Sequence, residues 1–179
     1  MGARSIDQSF RAPTPWGDAV LHCSGVDLVG IVPPHRTDDP EIAALPPADA
    51  APSGVAALAV ALAGYLAGEP VELAARDQVE RWLTRAGVDG FRRDLSLALF
   101  DVPRGVTLAY GELAALAGRP GAARAAGTTC ARNPLPLLIP CHRVVHAGAR
   151  RGDVGAYGAA TGTAYKRRLL ELEGALLVR

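Results

Sequence analysis

Three prolines in seven residues, Pro134, Pro136 and Pro140, enclose Leu135, Leu137, Leu138 and Ile139. Each proline removes an amide donor and biases the residue before it away from the helical region, so a helix is disfavoured in this stretch. Its side chains are nonetheless apolar enough to be buried. The chain must therefore build a core around an irregular segment, and the expectation is a rigid, extended lead into Cys141-His142-Arg143.

That tripeptide carries the chemistry most worth weighing. A thiol is a useful nucleophile mainly as its thiolate and needs a base or a positive environment nearby. His142 and Arg143 offer one of each. In a strand His142 would point away from Cys141, so a turn or a water would have to connect them. Taken alone, Cys141 reads more readily as a small buried hydrophobe than as a nucleophile. Cys130 has no histidine neighbour, and Cys23 sits beside His22 in an alternating apolar segment; both read as packing residues. Three cysteines at unrelated spacings give no disulfide framework and no closely spaced metal ligands, and no four-ligand set emerges from Cys23, His22 and His35. His146 reads as a loop residue.

The remaining pattern predicts an α/β chain of two domains, residues 1–88 and 89–179. In the first, Ala19–Cys23 and Val26–Val32 alternate about Ser24-Gly25 as a hairpin. Residues 33–53 are broken by repeated prolines and read as an irregular connection. Val55, Leu58, Leu62, Tyr65 and Leu66 recur at helical spacing up to Gly68. This is a small mixed scaffold with an antiparallel sheet. The second domain is mainly helical. Phe91, Leu95, Ala98 and Leu99 mark one helix, ended by Pro103 to Gly105. Tyr110–Ala117 forms a short helix closed by Gly118, and Pro120 is placed in the first turn of another that runs to about Arg132. Two short helices around a glycine fit a helix-turn-helix or an ordinary helical hairpin. A closing helix carries Lys166, Leu169, Leu170 and Glu173.

Charge divides along the same line. Residues 1–90 hold 6 Arg against 12 acidic residues, whereas residues 91–179 hold 12 Arg and Lys166 against 6 acidic residues. A basic half joined to an acidic one fits a protein that meets a polyanion through its C-terminal part, or a solvated Arg-rich surface. Hydrophobic content of 49% and a mean hydropathy of +0.14 suit a packed core. No leader-like start or membrane-length apolar run is present, so a cytoplasmic protein with no membrane partner is expected.

The run Asn133-Pro-Leu-Pro-Leu-Leu-Ile-Pro-Cys141-His-Arg-Val-Val145 resembles the active-site signature of O6-alkylguanine-DNA alkyltransferases. The likeness extends through Thr107-Leu-Ala-Tyr110-Gly-Glu-Leu-Ala, Gly121-Ala-Ala-Arg124-Ala, Gly155-Ala-Tyr157 and Lys166-Arg-Arg-Leu-Leu-Glu-Leu-Glu173-Gly. Thr14-Pro-Trp-Gly17 and the hairpin after it add weaker similarity.

The resemblance implies direct, one-use transfer of an alkyl group from O6-alkylguanine, or O4-alkylthymine, in double-stranded DNA to Cys141, by a monomer with no cofactor. It implies that Glu173 orients His142, that His142 activates Cys141 through a water, and that Asn133 braces the turn presenting the thiol. Arg124 would fill the space left by an extruded nucleotide, and Tyr110 would press on the adjoining phosphate. Pro136 and Tyr157 would wall the pocket with Tyr110. Two intervals depart from the family pattern: Cys141 to Tyr157 is about three residues longer and Tyr157 to Lys166 about two. An expectation follows that this longer loop, with Arg150 and Arg151, widens the range of alkyl groups. Ser96 replaces a frequent Trp. The rival reading is a non-enzymatic, alkyltransferase-like binder of alkylated DNA, which typically lacks the cysteine; a regulator with a helix-turn-helix would need no cysteine at all.

Overall fold

A computed structural model describes residues 5–34, 39–147, 154–155, 157 and 162–175. His35 and the loop arginines 150 and 151 lie outside these residues, and so do the expectations placed on them. The chain divides into two compact units, residues 1–88 and 89–179.

The first unit is built on an antiparallel sheet in the order β1 (Gln8–Thr14), β2 (Gly17–Ser24), β3 (Asp27–Val32). Its register sets Phe10 opposite Leu21 and Leu21 opposite Ile31, with Ala12 opposite Ala19 and Cys23 opposite Leu28. All of these are buried, so alternate residues give the sheet one apolar face. Helix α2 (Ser53–Leu66) packs against β1 and α3 (Arg76–Arg85) against β3. Val55, Leu58, Leu62, Tyr65 and Leu66 on α2, and Val79, Trp82 and Leu83 on α3, form the buried stripes. The described residues of the proline-rich connection include a four-residue helix, α1 (Pro40–Ala43), started by the Asp39 carboxylate accepting from the Glu41 amide at 2.9 Å, and a 3-10 turn at Ala48–Ala50.

Neither β1 nor α3 was read from the sequence. β1 escaped because it offers only Phe10 and Ala12 as inward residues and contains Pro13, which an edge strand tolerates. α3 escaped although Val79, Trp82 and Leu83 stand at helical spacing.

The second unit opens with α4 (Gly90–Phe100), followed by β4 (Leu108–Ala109), α5 (Tyr110–Leu116) and α6 (Ala123–Ala131). These three helices pack on one another. Ser96 is buried on α4 and returns its hydroxyl to the Arg92 carbonyl at 2.8 Å, so no tertiary partner is needed. Arg119, in the turn between α5 and α6, lies 4.6 Å from the centre of the Phe91 ring and ties that turn to α4. Pro120 does not open α6 as the sequence suggested. Gly121 follows it with φ of +89°, a left-handed conformation that no helix start can contain, and α6 begins two residues later. β4 pairs in parallel with β5 (Val144–Val145), and α7 (Gly162–Leu172) closes the unit. Val145, Val154, Leu170 and Ala175 form a buried cluster beneath it.

Candidate active site around Cys141

Every group of the site itself belongs to the second unit. The segment from Asn133 to Cys141 is folded and not extended. Leu137 takes φ of +72°, the one non-glycine among the described residues to do so, and the chain reverses so that Pro136 bridges Ile139. A leucine in this region is strained and persists only where its surroundings over-determine it. Here they do. Leu135, Pro136, Leu137, Leu138 and Ile139 are all buried, and the Ile139 amide donates to the Leu135 carbonyl at 2.8 Å.

Asn133 clasps this turn from the inside. Its Oδ1 accepts from the Leu135 amide at 3.0 Å, and its Nδ2 donates to the Ile139 carbonyl at 2.7 Å and to Cys141 Sγ at 3.2 Å. One side chain thus holds both ends of the reversal and contacts the sulfur at its exit. The Cys141 amide donates back to the Ile139 carbonyl at 2.8 Å, and Cys141–Arg143 then form a 3-10 turn. This turn replaces the strand geometry in which Cys141 and His142 would face apart.

His142 is fully buried, and its Nε2 lies 3.0 Å from Glu173 Oε1. A carboxylate can only accept, so Nε2 carries the hydrogen and Nδ1 is left as the basic nitrogen. Glu173 sits just past the end of α7. Arg143 Nε donates to both of its oxygens, at 3.2 and 3.0 Å, and a terminal nitrogen of the same guanidinium adds a bond of 2.6 Å. Arg143 also donates to the Val102 carbonyl, which fixes it to the end of α4. Burial alone would raise the Glu173 carboxyl, but the hydrogen bonds and charges of His142 and Arg143 outweigh it and hold the group well below the usual carboxylate range. Burial lowers His142 against the opposing pull of Glu173, which keeps the imidazole neutral and able to accept a proton.

Burial pushes the Cys141 thiol up. Hydrogen bonds from Asn133 and Tyr157 and the charge of Lys166 act in the opposite sense and favour the thiolate. Lys166 is almost completely buried on α7 and donates from Nζ to the Val144 carbonyl at 2.6 Å. Tyr157 is buried, with its ring parallel to that of Tyr165 at 6.2 Å. Tyr110 opens α5 half-buried, and burial together with the charges of Cys130 and Cys141 raises its phenol.

The fold therefore brings Asn133, Cys141, His142, Tyr157 and Glu173 into one neighbourhood, with Tyr110 at its edge and Pro136 in the supporting turn. Arg124 stands apart from them, exposed in the first turn of α6. Cys23 and Cys130 are free thiols, raised by burial to about 11 and about 12 respectively. Among the described residues no cluster of His, Cys, Asp or Glu could hold a metal. Sequence reasoning missed the grip of Arg143 on Glu173 and the burial of Lys166. The second had a signal: Lys166 is the only lysine in the chain, in a helix whose neighbouring cations are arginines.

Residues 90–175 match the family described as 6-O-methylguanine DNA methyltransferase, DNA binding domain. A methylated-DNA–protein-cysteine methyltransferase of Salmonella typhimurium is 43% identical over 117 residues, 65% of this chain and 62% of that protein. The namesake from Mycobacterium bovis is 43% identical over 112 residues, 63% of this chain and 61% of its own length. These matches thus span a little over three fifths of each curated relative. The likeness to solved structures reaches further. The crystal structure of Mycobacterium tuberculosis OGT in complex with DNA superposes with a TM-score of 0.67 and 32% identity, covering 93% of this chain and 92% of that one. The chain belongs to the O6-methylguanine-DNA methyltransferase family. That match includes the sheet unit as well as the helical one, so family membership extends well beyond the 90–175 segment. Asn133, Cys141, His142 and Glu173 all fall inside that segment, as do Tyr110 and Arg124.

Proposed function

We propose that this chain repairs alkylated DNA by moving the alkyl group of O6-alkylguanine in duplex DNA onto Cys141, once per molecule. The observation that carries the reading is the linked set of buried groups. Asn133 bonds the sulfur, and Glu173, gripped by Arg143, fixes the tautomer of the adjacent His142. His142 Nδ1 takes the thiol proton through a water. The thiolate then attacks the alkyl carbon; a carbon–sulfur bond forms as the carbon–O6 bond breaks, and its electron pair passes to the guanine, which is protonated and released. The step balances without cofactor or metal. Because the product is a thioether, Cys141 is not regenerated.

The lesion must leave the stack to reach a buried sulfur. We assign Tyr110 to the adjoining phosphate and exposed Arg124 to the vacated space, with Tyr157 and Pro136 lining the pocket. One chain holds every group the step uses, so a monomer suffices. Its compartment is read as the cytoplasm; among the described residues no helix is long and apolar enough to cross a membrane. Binding without transfer is the weaker reading, because it gives no purpose to the Asn133 bond to sulfur or to the His142–Glu173 pair.

The test compares wild type with Cys141→Ala on duplex DNA bearing one radiolabelled O6-methylguanine. Wild type should take up one label per chain, while the variant binds the duplex and takes up none. Label on the variant would refute the assignment.

A further inference from the structure

His146 has no part in the chemistry above, yet its placement is specific. It follows β5 at the surface, and its ring centre lies 5.7 Å from that of Tyr110 with the planes inclined at 58°. This is the tilted geometry in which the edge of one ring meets the face of another. The same imidazole rests on bare backbone at Gly155. A Cβ there would stand 2.6 Å from His146 Cδ2 and 2.7 Å from Nε2, closer than real Cβ atoms approach. Gly155 also has φ of +72°. Tyr110 in turn faces α6 at Gly127, where an added Cβ would lie 3.9 Å from its ring. Gly155, His146, Tyr110 and α6 therefore form a continuous row of contacts from the segment before Tyr157 to the helix that carries Arg124.

We propose that His146 is a positioning residue that fixes the ring of Tyr110 for its action on the DNA backbone, seated by Gly155. The inference rests on the alkyl-transfer reading, in which Tyr110 turns the lesion out of the duplex. An aromatic neighbour on one side and a helix on the other leave the Tyr110 ring few rotamers. Pre-setting that ring removes an ordering cost from nucleotide extrusion. The free modified base needs no extrusion, so it does not draw on this effect.

The experiment measures single-turnover transfer from duplex O6-methylguanine and from free O6-benzylguanine. His146→Ala should slow the duplex reaction about 2- to 10-fold, the range of an aromatic pair, and leave the free-base rate unchanged. His146→Phe, which keeps a ring, should restore the duplex rate. Gly155→Ala should resemble His146→Ala, and should add less when the imidazole is already absent. Equal losses on both substrates would overturn the proposal, as would a Phe variant as slow as the Ala variant. A double-mutant cycle on unfolding, with Tyr110→Ala and His146→Ala, reads the contact independently. Additive losses in it refute the contact even if wild type transfers nothing, an outcome that would separately sink the alkyl-transfer reading.

Discussion

Glu173 shows how much of the site depends on a pairing that sequence distance conceals. Thirty residues separate it from Arg143, and nothing in the local sequence of either announces their bidentate bond. As candidates, Cys141, His142, Asn133 and Glu173 were legible through the family signature. Their mutual geometry was not, since spacing says nothing about which side chains meet across a turn and a helix end. Replacing Glu173 by Gln removes the anion and leaves Arg143 and His142 in a buried setting without it. Losing one partner of a buried pair costs about 3–5 kcal/mol, so Glu173→Gln should unfold at markedly lower denaturant at neutral pH and transfer slowly. The sign of the pH effect follows from the lowered carboxyl. Its stabilisation is complete above the unfolded value of a glutamate, roughly pH 4 to 5, and drains away as pH falls towards the folded value. His142, which burial lowers, loses stability in the same direction but begins nearer its ordinary value of 6.5. Chemical denaturation from neutral to acid pH should therefore show the gap between wild type and Glu173→Gln narrowing below roughly pH 5. A constant gap would mean that Glu173 is not held ionised by its partners.

At the scale of elements, the proline-rich run before Cys141 was rightly read as non-helical and wrongly read as extended. Proline chemistry excludes regular structure but does not give the direction of the chain. The reversal turns on a positive φ at Leu137, where a glycine or asparagine would have signalled it and a leucine does not. Pro120 misled for a related reason: a proline suits a helix start, but the following Gly121 delays it. The periodic helices α2, α4, α5 and α7 were readable because apolar stripes repeat every three or four residues. The edge strand β1, with two inward residues, was not. Asn133 is the side chain that makes the reversal hold. Asn133→Ala should cost about 1–3 kcal/mol in unfolding experiments, because the buried Ile139 carbonyl and Leu135 amide lose their partner. Asn133→Asp should transfer more slowly than Asn133→Ala even where it folds, since a carboxylate would face the Ile139 carbonyl and discourage the Cys141 thiolate. Equal transfer rates for the two variants would show that the amide acts on the turn alone.

Over the whole molecule, charge and fold divide at nearly the same place. The acidic half coincides with the sheet unit and the basic half with the helical unit that contains the site. A DNA face confined to the basic half predicts that affinity for a duplex falls steeply and linearly on logarithmic axes as salt rises, through counterion release. Fluorescence anisotropy across salt concentrations measures that slope, and a flat response would exclude this surface as the phosphate contact. The buried thiol within that unit is the centre of the account. Its most direct test is the intact mass of the protein after incubation with duplex O6-methylguanine, followed by peptide mapping. The expected result is a gain of a single methylene, located on Cys141. An unchanged mass, or a modification found on Cys23 or Cys130, would contradict it.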